Sequence, residues 1–188
     1  MALKPILFKT EMVQAISSGS KTQTRRVVKK AIGHEDIGIK IPFKVGDVMW
    51  VKETFSKQDD SVIYRSDVCS KWDLPEGRKW APSIFMPKNL CRFFLKVIDV
   101  RIERLQNISE SDSIKEGVKI AEGKSAKEGF TSLWKSIHGE DSWKDDPIVI
   151  VYEFESVFFY EYLEGTTDCK NLLDAWNKNG RVKKNNKS

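Results

Sequence analysis

The chain has 188 residues, of which 40% are hydrophobic and 31% charged, the make-up of a globular protein large enough for one principal core. It holds no run of about 18 apolar residues to cross a membrane, and Lys4 interrupts the N-terminal stretch where a signal peptide needs its apolar segment, so neither a membrane nor export is expected. The net charge of +5 resides in the C-terminal end, because without Lys178, Arg181, Lys183, Lys184 and Lys187 the chain has 27 basic and 27 acidic residues.

In chain order, residues 10–18 are predicted to form a helix, with Thr10 capping its start, Met12, Val13 and Ile16 on one face, and Gly19 ending it. A polar, basic segment follows. Residues 1–30 carry seven cations against Glu11 alone, which reads either as a solvated basic face or as a patch that meets phosphates. Residues 31–45 read as loop, broken by Gly33, Gly38 and Pro42. Strands are predicted over 48–53 and 62–67, a loop over 68–82, and a short strand over 83–86 that Pro87 closes.

The longest predicted strand covers residues 91–104. Phe93, Leu95 and Val97 alternate on one side, then Ile98, Val100 and Ile102 take over; this slip of one residue is what a β-bulge produces. Ser109 opens a short helix that Gly117 ends. Ser125 and Glu128 form a capping box for a second helix, which carries Phe130, Leu133, Trp134 and Ile137 at the spacing of one stripe. Core packing is the first reading of that stripe, and an aromatic platform for a ligand is the second. The strand over 148–155 is apolar enough to be central. Beyond it, an aromatic stretch (157–163) leads to a helix around 168–178 and a basic, disordered tail. Strands separated by loops rather than by regular βα alternation argue against a doubly wound sheet. The expected fold is a small mixed α+β barrel with flanking helices over 1–156, followed by an appendage over 157–188.

Cys69, Cys91 and Cys169 are odd in number, far apart and without a CxxC pair, which fits a reduced cytoplasm rather than a disulfide framework. His34 and His138 are the only histidines, and no HxH or HExxH spacing occurs, so no metal or other cofactor is expected.

The informative segment is Gly19-Ser20-Lys21-Thr22-Gln23-Thr24-Arg25-Arg26, which fits the pattern G-x-K-x-x-T-x-R and is not a Walker A loop. With it come KPILFKTEMVQAI (4–16), GDVMWVKET (46–54), YRSD (64–67), WAPSIFMP (80–87), VIDVRIERLQNIS (97–109), IKEG (114–117) and LWKSIHG (133–139). In these ordered marks, from about Lys4 to Glu155, the chain resembles the ASCH family of the PUA-like superfamily, in particular its phage-associated branch.

That resemblance implies a PUA-like barrel whose cleft engages RNA, a nucleoside or a modified base. One bacterial branch hydrolyses N4-acetylcytidine with a lysine and a threonine of the GxKxxT motif and a glutamate on a later helix; Lys21, Thr24 and Glu116 match these. Another branch resembles a ribonuclease. Added segments at 31–45, at 68–82 and after 156 set this chain apart from the compact amidohydrolases.

The chemistry has a physical basis. A lysine serves as nucleophile or base when burial or nearby cations, here Arg25 and Arg26, lower its pKa. A threonine hydroxyl three residues on can relay a proton or hold an oxyanion. A carboxyl in the last turn of a helix meets the negative end of the dipole, which suits a general acid. Each has a plainer counterpart: Lys21 as a solvated lysine, Thr24 as a turn hydroxyl, Glu116 as an exposed helix end, and Arg26 as a brace for an acid. Gly19, Arg25, Arg26, Trp50, Glu53 and Arg65 are candidate cleft residues, and Trp50, Trp72 and Trp80 are candidates to stack on a base. Three functions remain open: a hydrolase of modified cytidine or RNA, a non-catalytic RNA or modified-base reader, and an accessory protein that docks through residues 157–163.

Overall fold

The computed structural model describes residues 1–28, 40–68 and 76–157. Trp72, His34, Cys69, Cys169, the expected helix around 168–178, residues 158–163 of the aromatic stretch and the basic tail lie outside the described residues.

Among the described residues, seven strands and three α-helices form a mixed α+β fold. They follow in the order β1 (Leu3–Leu7), α1 (Thr10–Ser17), β2 (Gln23–Val27), β3 (Val48–Lys52), β4 (Phe55–Gln58), β5 (Ser61–Tyr64), β6 (Phe94–Arg104), α2 (Glu110–Lys115), α3 (Ala126–His138) and β7 (Ile148–Val157). Five strands make one sheet in the order β1-β3-β6-β7-β2, and β4 and β5 make a separate hairpin. β1 runs parallel to β3; the other pairs are antiparallel.

The expected barrel is not closed by backbone pairing: β1 and β2 are the two edges of the sheet. Pro5 in β1 lacks an N–H, which suits an edge strand. Beyond β2, Val28 N–H still donates to Ile148 O (3.0 Å), so the chain stays with β7 instead of crossing to β1. A side chain spans the edges, with Arg26 Nη2 donating to Leu7 O at 2.8 Å.

β7 explains its own apolar sequence. Ile150, Tyr152 and Phe154 face a core with Val13 and Ile16 of α1, and Val149 and Val151 face a second core with Phe130 and Trp134 of α3. Where it is covered on both faces, over residues 149–152, the strand is apolar at every position. The predicted bulge is present: Val97 pairs with Phe154 and Asp99 with Glu153, which leaves Ile98 as the extra residue.

Several local expectations need correction. Lys9 is the N-cap of α1 and Thr10 its first helical residue, with no side-chain cap. Residues 83–85, expected as strand, form a 3-10 turn between Pro82 and Pro87. The strand expected over 62–67 ends at Tyr64, and Arg65–Asp67 is a 3-10 turn. β1, β2 and β4 fall on segments without a strand signature. The capping box at Ser125 and Glu128 and the Ser109 cap are both formed.

Candidate functional site

The motif is positioned by how α1 ends. Gly19 takes a left-handed φ of +74°, and its N–H donates to Ile16 O (3.0 Å). Lys21 N–H then donates to Ala15 O (3.0 Å) and Thr22 N–H to Lys115 O (2.9 Å), which docks the segment on the C-terminal end of α2. Lys21 and Glu116 form an isolated antiparallel bridge. Gly117, with φ +74°, is what allows this approach, because a Cβ there would lie 2.8 Å from both the Ala15 and Lys21 Cβ atoms.

Lys21 and Glu116 are both buried. Lys21 Nζ donates to Glu116 Oε2 at 2.7 Å and to the Glu116 carbonyl oxygen at 2.8 Å. Burial pulls the Lys21 ammonium below the ordinary lysine value; Arg26 and Arg25 act in the same direction, and Glu116 opposes them. Glu116 accepts from cations at both oxygens, the second being 3.0 Å from Arg25 Nη1. Its carboxylate therefore sits as a double acceptor at the C-cap of α2.

Arg25 is a brace. Its fully buried guanidinium makes five hydrogen bonds: Nε and Nη2 to Glu103, Nη2 to Asp112, and Nη1 to Gln23 and Glu116, at 2.7–3.1 Å. Five donors are thereby committed, so Arg25 has none left for a phosphate. Arg26, on the other side of β2, has only the Leu7 bond among the described residues and lies 5.0 Å above the Phe8 ring. The bracing role weighed for Arg26 is filled by Arg25.

These side chains meet in a cavity of about 380 Å³, lined among others by Lys21, Thr24, Arg25, Arg26 and Glu116, a size suited to a small ligand. α3 supplies the opposite wall with Phe130, Leu133, Trp134, Ile137 and His138. Phe130 and Trp134 of the stripe pack in the core, as its first reading has it, and also border the cavity. His138 stacks on Trp134 at 4.2 Å, and burial, with Arg26 and Lys9, holds its pKa down. Phe8 and His138, which lie in segments that carry the resemblance but were not among the candidate site residues, also line the cavity.

The remaining candidates lie elsewhere. Gly19 is an exposed turn residue with open space where a Cβ would be, so its role is conformational. Trp50 packs with Val48 and Phe94 in a third apolar cluster. Glu53 is buried and braced by Arg92 (2.8 and 3.1 Å) and by Ser66. Arg65 lies 5.4 Å over the Trp80 ring, which gives that aromatic face a cation partner within the fold. Cys91 is free, and burial pushes its thiol up to about 12, which removes it as a nucleophile at neutral pH. Among the described residues no cluster of His, Cys, Asp and Glu could hold a metal, and no helix is long and apolar enough to cross a membrane.

The lowered pKa of Lys21 has a measurable consequence. Its acylation by a small amine-directed reagent, read by peptide mass spectrometry against pH, is expected to level off below 10.5, the ordinary lysine value. A plateau at or above that pH would show that Glu116 outweighs burial.

No protein-family model and no curated protein matches the chain. A solved structure described as the crystal structure of hypothetical protein PH0355 is similar to it at 16% identity and a TM-score of 0.43, over 84% of this chain and 100% of that one.

Proposed function

We propose that the chain is an ASCH-type, PUA-like domain of the cytoplasm that takes a modified cytidine, free or in RNA, into this cavity and hydrolyses its N4-acetyl group. The observation that supports this reading best is the convergence of Lys21 and Thr24 with Glu116, distant from both in sequence, on one cavity, with Lys21 Nζ 2.7 Å from Glu116 Oε2. In the proposed reaction, neutral Lys21 takes a proton from water as the water oxygen adds to the acetyl carbon. The Thr24 hydroxyl donates to the developing oxyanion. The proton passes from Lys21 to Glu116 and on to the leaving N4 nitrogen as the C–N bond breaks, giving acetate and cytidine.

A second reading is a reader of RNA or a modified base without chemistry. It is favoured by the Glu116 carboxylate, which accepts from Lys21 at one oxygen and from Arg25 at the other, as a purely structural ion pair would. Incubation with N4-acetylcytidine and with an RNA pool separates the two. Acetate released by the wild type and lost in Lys21→Ala supports hydrolysis, and cleaved RNA would select the ribonuclease branch instead. Salt-sensitive binding without turnover, weakened by Arg26→Ala, would make the domain a reader.

A further inference from the structure

At the rim of the cavity, the 3-10 turn Ser83–Phe85 is held rigidly from below and yet displays large apolar side chains to solvent. Ala81 and Phe55 exchange two backbone hydrogen bonds (2.7 and 3.2 Å), and Lys52 Nζ donates to Ile84 O. Met86, 1% exposed, closes the turn from the core side, and its Sδ accepts from Glu53 N–H at 3.1 Å. Above this anchor, Ile84 is 61% and Phe85 72% exposed. Ser83, two residues before Phe85, lines the cavity together with Thr54, so the Phe85 Cα lies within about 7 Å of the cavity wall along the chain.

The segment that carries this turn is basic. Residues 78–92 contain Arg78, Lys79, Lys88 and Arg92 and no acid. Arg92 is offset by Glu53 and Asp67. Arg78 and Lys79 precede the turn in the chain, and Lys52 lies beneath it with its Nζ on Ile84 O, so cations adjoin the ring. An exposed, pre-organised aromatic ring with flanking cations is the arrangement that holds single-stranded nucleic acid, the ring stacking on a base and the cations meeting the backbone.

We propose that Phe85, beside Ile84 on this turn, is the stacking platform for the nucleotide next to the one in the cavity, so that the ligand of this site is a single-stranded RNA segment in preference to a free nucleoside. The proposal rests on the reading that the cavity takes a cytidine base. Stacking on an exposed ring is sequence-tolerant, so the cavity selects the modified base and the platform tolerates any neighbour.

The test measures binding of an eight-nucleotide RNA with one central N4-acetylcytidine, of the same RNA in a duplex, and of free N4-acetylcytidine, to the wild type and Phe85→Ala. The single strand is expected to bind the wild type more tightly than the nucleoside. Phe85→Ala is expected to weaken single-strand binding by about 5- to 150-fold, while leaving nucleoside binding and the thermal midpoint unchanged, because the ring contributes little to the core. Equal wild-type affinities for strand and nucleoside, an unchanged strand affinity in Phe85→Ala, or a preference for the duplex would each overturn the proposal and leave the cavity reading intact. Absence of binding to all three would overturn both. A concentration-dependent dimer abolished by Phe85→Ala would assign the patch to a second copy of this chain, and so would also overturn it.

Discussion

Glu116→Ala is expected to destabilise the fold by about 3–5 kcal/mol, the cost of removing one partner from a buried ion pair. Two cations depend on this carboxylate, with Lys21 and Arg25 side chains 2% and 0% exposed. Arg25 keeps Glu103, Asp112 and Gln23 after the change, but Lys21 keeps only the Glu116 backbone carbonyl. The larger part of the cost therefore falls on Lys21. Lys21→Ala is expected to cost less, about 1–3 kcal/mol, because Glu116 retains Arg25 at 3.0 Å. Urea unfolding of the two variants checks the order. Equal losses, or a loss below about 1 kcal/mol in Glu116→Ala, would mean that water reaches the pair and that the cavity is wetter than its burial indicates. The same numbers make Lys21→Ala the better functional probe, since it removes the amine proposed to react and leaves more of the fold.

Gly117→Ala is expected to cost about 2–5 kcal/mol and to disable the site, whereas Gly19→Ala costs about 1–2 kcal/mol. The two glycines share a left-handed φ of +74°, and both pay the same backbone penalty when a Cβ is added. They differ in what that Cβ meets. At Gly19 nothing lies within 4 Å; at Gly117 the Ala15 and Lys21 Cβ atoms lie at 2.8 Å, closer than two carbons can stand. The clash must be relieved by parting α1 from α2, which shifts Lys21 relative to Glu116. A displacement near 1 Å at a reacting group can cost about 100-fold in rate, so Gly117→Ala is expected to lose activity even below its melting transition. Thermal melts of both variants, with an activity assay at a temperature where both stay folded, test the contrast. Indistinguishable melts would show that the C-terminal end of α2 yields without strain.

The parts of this fold written in periodicity were legible from the sequence: the α3 stripe with its capping box, the apolar β7, and the bulge at Ile98 marked by a slip in alternation. β2 was not legible. Gln23, Thr24 and Arg25 are polar, yet all three are buried, because Glu103 of β6, Asp112 of α2 and Glu116 supply charges that no local window contains. The same long-range neutralisation assigned Arg25 to bracing and left Arg26 facing the cavity, a distinction that two adjacent arginines cannot carry in sequence. Lys21, Thr24 and Glu116 were singled out by a motif, and they do share a cavity. Trp50, Glu53 and Arg65 were chosen for residue type alone, and each is engaged elsewhere in the fold. The exposed Phe85 was hidden for the opposite reason: SIFM has the composition of a strand, and only the flanking prolines and the buried Met86 turn it outward.

The central claim is that Lys21 acts on a modified cytidine within this cavity. Acetate release from N4-acetylcytidine, followed by proton NMR with the wild type and Lys21→Ala side by side, tests it most directly. Acetate and cytidine in equal amounts from the wild type, and none from a folded Lys21→Ala, is the predicted result. Intact N4-acetylcytidine with the wild type, or the same rate in both proteins, would contradict it.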